Sequence, residues 1–183
     1  MNRIDHLVKR SASDCVQALA NETNLDSEVV YIHFSSIYAN ISPKHQPVFP
    51  GVVAILQAVV AVGGVNVIAT HRNFVTTQRL LFTHQIANYF QDIVTLENGF
   101  SRKPAPELFN TLMVRNGFDP RETLVIGNRG VDVQAAQAAG VQSCLFRPND
   151  KRIEADFVIH EYEQLFEHIR LAGIPKIQYD VNM

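Results

Sequence analysis

The chain has only two cysteines, Cys15 and Cys144, in 183 residues. They stand far apart and neither has metal-ligand spacing. This argues against a disulfide framework or a zinc site and predicts reduced, buried thiols in a cytoplasmic protein. There is no basic excess: 16 Lys and Arg face 18 Asp and Glu, for a net charge of −2. A binder of nucleic acid or of an anionic membrane would show a positive field, so neither partner is expected. No apolar run is long enough to span a bilayer. The longest, 52–65, is interrupted by Gln57 and by the pair Gly63 and Gly64. The first residues, Met1 to His6, lack the apolar core of a signal peptide. Neither common type of glycine-rich phosphate loop occurs, and there are no internal repeats or low-complexity segments.

What remains is a chain that should fold. It is 46% hydrophobic and 19% charged, and long enough for one ordinary domain with a small appendage. Residues 1 to about 23 read as helical, with a break near 11–14 where Ser13 or Asp14 would cap a second helix. Residues 24–49 fit two patterns. Val29 to Phe34 suits a strand by β-branched and aromatic content, yet Val30, Phe34, Ile37 and Tyr38 also form one face of a helix capped by Asp26 or Ser27. Pro43, Pro47 and Pro50 then break the chain.

From Gly51 onward strands and helices alternate. Helices are expected at 52–62, 74–90, 107–116, 132–139 and 162–171, and strands at 65–70, 93–96, 123–127, 142–146 and 156–159. This alternation predicts an α/β fold with a doubly wound parallel sheet. In such sheets, ligands bind at the carboxyl ends of the strands.

Three of those ends carry polar groups. The strand at 65–70 ends in Thr70, His71 and Arg72. A hydroxyl followed by free backbone N–H groups at a helix start suits phosphate. The turn before Glu107 carries Lys103, its backbone restricted by Pro104. The strand at 124–127 leads into Asn128 and Asp132, two hard oxygen donors four residues apart. Threonine, lysine and a carboxylate on successive strand ends form a phosphate-and-magnesium grouping. Arg72 and His71 are placed to select substrate, or else face solvent at the helix start.

The segments Thr70 to Asn73, Arg102 to Pro106, and Gly127 to Asp132 with Ala138-Ala139-Gly140 resemble the second, third and fourth motifs of the haloacid dehalogenase superfamily. The likeness is closest to its phosphoglycolate-phosphatase-like and β-phosphoglucomutase-like branch, and it covers 50–160. The resemblance implies magnesium-dependent hydrolysis of small phosphorylated metabolites. Thr70 and Lys103 would hold the phosphoryl group, and Asp132 with Asn128 the metal. It also implies residues 1–49 as a helical cap remnant, 50–172 as the core and 173–183 as a tail.

Two features depart from that family. The first motif, a strand running into Asp-x-Asp-x-Thr, is missing or degenerate. If 29–34 is its strand, His33 and Ser35 stand at the aspartate positions; if 1–48 is cap, the strand is absent. The family places that strand between those ending at Thr70 and Gly127, and the spare strand-like tail, 177–182 with Asp180, is the candidate to fill it. The second departure is Asn128, which stands where an acid is usual and so weakens magnesium. The expectation is a phosphatase-like protein with impaired hydrolysis, or an inactive relative that binds phosphate or a protein partner.

Overall fold

The structure is a computed structural model that describes residues 12–148 and 153–168. The tail 173–183, with Asp180, and the first expected helix lie outside the described residues. The chain divides into two compact units, 1–46 and 47–183.

In the first unit, α1 (Ala12–Thr23) packs against α2 (Ser27–Asn40). Ser13 and Asp14 fall inside α1 rather than capping it. The two-way segment is a helix. Asp26 Oδ1 accepts from Glu28 N at 2.7 Å and caps α2, and Phe34 and Tyr38 stack at 5.9 Å one turn apart. A strand at 29–34 is therefore overturned, and His33 and Ser35 stand on a helix, not at a strand end.

The second unit alternates as expected: α3 (Val52–Ala61), β1 (Asn66–Thr70), α4 (Phe74–Thr83), β2 (Phe90–Thr95), α5 (Glu107–Asn116), β3 (Leu124–Gly127), α6 (Gly130–Ala138), β4 (Gln142–Phe146), β5 (Phe157–Ile159) and α7 (Leu165–His168). The helix expected to reach Phe90 stops at Thr83. Gln85 takes a left-handed φ of 57°, and β2 starts at Phe90, three residues earlier than expected. Among the described residues no helix is long and apolar enough to cross a membrane.

All strand pairs are parallel. β1 pairs with β2, Thr70 opposite Thr95; β3 pairs with β4, Gly127 opposite Leu145; and β4 pairs with β5. Helices cover both faces. On one, Leu108 and Leu112 of α5 pack with Val94, Val67 and Ala69. Beside them Phe109, Ala135 and Ala136 are packed by Ala69 and Val125. On the other, Leu56 of α3 and Leu81 of α4 pack with Ile68 and Ile93, while Ile55 of α3 joins Cys144, Phe146, Ile159 and Leu165. Each fully buried leucine here, such as Leu108, contributes about 2 kcal/mol.

The expected single sheet is thus found as two pieces, β1-β2 and β3-β4-β5. The same helices, α3 and α5, contribute to clusters on both, so the pieces belong to one layer. The burial pattern marks the break. Val94, Thr95, Ser143, Cys144 and Leu145 of β2 and β4 are buried, yet β1 is half-buried throughout and Ile126 of β3 is exposed. Among the described residues β1 and β3 have one strand neighbour each, so each keeps one backbone edge without a ladder partner.

Candidate functional site

β1 delivers Thr70 to the carboxyl end of its sheet, where the hydroxyl oxygen accepts from Arg72 N at 3.0 Å. The helix start that follows is already supplied with acceptors. Asn73 Oδ1 accepts from Thr76 N at 2.8 Å, and Glu97 Oε2 accepts from Phe74 N at 2.8 Å. The free amides expected there for a phosphate are therefore largely taken, and Glu97 adds a negative charge at the position an anion would use.

His71 is half-buried rather than free in solvent. Its Nε2 accepts from Lys103 N at 2.9 Å and braces the Lys103 turn. Burial first, then the charges of Lys103, Arg129 and Arg102, push its pKa down to about 4, against the opposing effect of Asp132. The ring is thus neutral at pH 7, as an acceptor must be. Arg72 is half-buried.

Lys103 is not a surface lysine. Its side chain is 7% exposed, and Nζ donates to Asp132 Oδ1 at 2.6 Å and to Ala69 O at 3.2 Å, 5.4 Å from the Phe109 ring centre. Asp132 is 8% exposed and stands in the first turn of α6, where a carboxylate also complements the helix dipole. Its second oxygen lies 3.6 Å from Arg129 Nε. Gly127 makes this approach possible, since a Cβ on it would lie 2.8 Å from Asp132 Cγ. Asn128 is exposed beside it.

These groups line a cavity of about 300 Å³ with Phe49, Ile126, Gly127, Phe146 and Tyr162. Lys103, Asn128 and Asp132 of the sequence-based set meet there; Thr70, His71 and Arg72 stand off the lining. The reading missed Arg129 and the three aromatics. Arg129 was visible inside the Gly127–Asp132 loop, whereas Phe49, Phe146 and Tyr162 come from three separate segments with no common sequence signal.

Among the described residues Asp132 is the sole carboxylate on the lining. Among the described residues, no group of three His, Cys, Asp or Glu is placed to hold a metal. Magnesium is held through anionic oxygen, but both oxygens of Asp132 already face cations and Asn128 brings no charge. The residues present do not fit a resident magnesium ion. Among the described residues they leave two cations, Lys103 and Arg129, to one carboxylate, so the described lining carries net positive charge.

A family model described as haloacid dehalogenase-like hydrolase matches residues 1–146. The phosphoglycolate phosphatase of Rhodobacter capsulatus is 24% identical over 166 residues, 87% of this chain and 74% of the relative. That of Vibrio vulnificus strain YJ016 is 29% identical over 110 residues, 60% of this chain. The chain spans about half the length of that relative, 48%. Among solved structures, a hydrolase of Bacillus subtilis bound to magnesium aligns with a TM-score of 0.68 at 22% identity, covering 87% of this chain and 73% of its own. A β-phosphoglucomutase of Clostridium difficile aligns at 0.70 with 17% identity, covering 89% and 77%. At such identities the structures show the fold.

Proposed function

Because the chain belongs to the haloacid dehalogenase-like hydrolases, we propose that its cavity binds the phosphoryl group of a small phosphorylated metabolite, and that hydrolysis is impaired in this polypeptide. The observation that carries this reading is the Lys103–Asp132 pair. It sets a buried ammonium beside a cavity in which the only carboxylate among the described residues is already paired.

In this reading Lys103 and Arg129 attract the phosphoryl oxygens, while Thr70, off the lining, shapes the end of β1 by accepting from Arg72 N. His71 acts behind Lys103 rather than on the substrate. A covalent mechanism needs an unpaired nucleophile, and no described residue on the lining supplies one. Magnesium, bound in the Bacillus relative, is held weakly or not at all here, for want of free anionic oxygen around Asn128 and Asp132. The names of the curated relatives support a small phosphorylated ligand. Helices α1 and α2 are the cap remnant in this reading, and the unit from 47 is the core.

Two measurements test it. Titration calorimetry should show inorganic phosphate binding that Lys103→Ala abolishes; no binding to the unaltered chain overturns the phosphate site. Hydrolysis of p-nitrophenyl phosphate with magnesium should not exceed that of Lys103→Ala. Turnover that this substitution abolishes overturns the impairment.

A further inference from the structure

We infer that the cavity is shaped for an aryl phosphate, a phosphoryl group joined to one aromatic ring; this rests on the phosphate reading above. The lining joins two kinds of surface. Lys103, Asn128, Arg129 and Asp132 supply charge and hard donors, and Phe49 and Tyr162 supply aromatic surface, with Phe146, itself 3% exposed and part of the core, packed against both. The strand register places them together. Gly127 at the end of β3 stands opposite Leu145 on β4, each one residue before Asn128 and Phe146. Adjacent strands run about 5 Å apart, within reach of one bound molecule.

The rings are held as a group. Phe49 meets Phe146 edge-on at 4.9 Å, and Tyr162 meets Phe146 at 4.6 Å. Arg147 stacks its guanidinium 5.0 Å from the Phe146 centroid and 5.8 Å from that of Phe49. It is fixed there by Glu161 at 2.9 Å and by donation from Nε to His160 O at 2.7 Å. Rings locked this way lose little freedom when a ligand arrives. Phe49 is 46% exposed, so the group still offers apolar aromatic surface next to cations. A ligand with a flat ring and an anionic head satisfies both surfaces, whereas a bare phosphate or a hydroxylated aliphatic ester leaves the rings unused. At about 300 Å³ the cavity is at the small end for ligand pockets, suited to a single ring rather than a dinucleotide.

The test titrates the whole chain with inorganic phosphate and with phenyl phosphate by calorimetry, and follows uncharged benzyl alcohol by saturation-transfer NMR. Phenyl phosphate should bind at least about tenfold tighter than inorganic phosphate. Phe49→Ala should bring that ratio to within about twofold of one, and Phe49→Tyr should retain it. Benzyl alcohol should receive saturation from the unaltered chain and much less from Phe49→Ala. Equal affinity for the two phosphates overturns the aryl preference while leaving the phosphate site standing. Absence of benzyl alcohol binding also overturns it, whatever phosphate does. Benzyl alcohol binding without any phosphate binding overturns the phosphate site and this inference together.

Discussion

Lys103 and Asp132 are each more than nine-tenths covered, and that decides what their substitution does. Removing one member of a buried pair strands the other charge, at a cost of about 3 to 5 kcal/mol. Arg129, already 3.6 Å from Asp132, takes up part of the loss when Lys103 goes. Lys103→Met should therefore cost about 3 kcal/mol, at the lower end of that range. The double variant with Asp132→Asn should cost clearly less than the sum of the single changes; urea unfolding measures all three. His71 sets a pH dependence. Its folded pKa of about 4 lies below its ordinary 6.5, so between those values the unfolded chain binds more protons than the folded one. The stability it contributes is complete above pH 6.5 and is lost as pH falls toward 4. His71→Gln should flatten that part of the stability curve, and an NMR titration of the unaltered ring should show no protonation until well below pH 5.5.

At the scale of elements, the strand–turn–helix from β3 into α6 depends on Gly127 lacking a side chain. Gly127→Ala would press on Asp132, shifting the first turn of α6 or the carboxylate itself. Overpacking of this kind costs about 1 to 3 kcal/mol, and the displaced carboxylate should lower phosphate affinity at least about tenfold by calorimetry. Asn73→Ala removes the cap of α4, with its bonds from Thr76 N and Oγ1, and should cost about 1 kcal/mol in the same urea assay. Elements with plain signals were legible beforehand. β4 and α5 have the bounds the sequence indicated, one a short segment after Gly140 that ends in Cys144, Leu145 and Phe146, the other a helix from Glu107 to the residue before Gly117. The overrun past Thr83 has a physical reason: nothing in the side-chain pattern announces that Gln85 turns left-handed. At 29–34 the composition suits either period, and the Asp26 cap and the lack of any strand partner give the helix. The polar strand ends were legible as a set. Which group each would pair with was not, because pairing depends on burial and three-dimensional approach: Lys103 with Asp132, His71 with the Lys103 backbone, and Glu97 over the start of α4.

For the molecule as a whole, a ligand of the folded form raises stability by mass action. Phosphate at about one hundred times its dissociation constant should add about 2.7 kcal/mol, which for a chain of this size is a rise of roughly 5 to 10 °C in Tm. Lys103→Ala should show no such rise in a thermal scan. The break between β1 and β3 acts at the same scale. Besides the outer edges of β2 and β5, each copy carries the facing edges of β1 and β3, whose N–H and C=O groups have no ladder neighbour among the described residues, and edges of this kind recruit one another. The amount of chain in the tube thus becomes a variable of the fold itself. Sedimentation runs over a loading series should show weight-average mass climbing with concentration, and a single Lys placed at Ile126 should push that climb to higher loading.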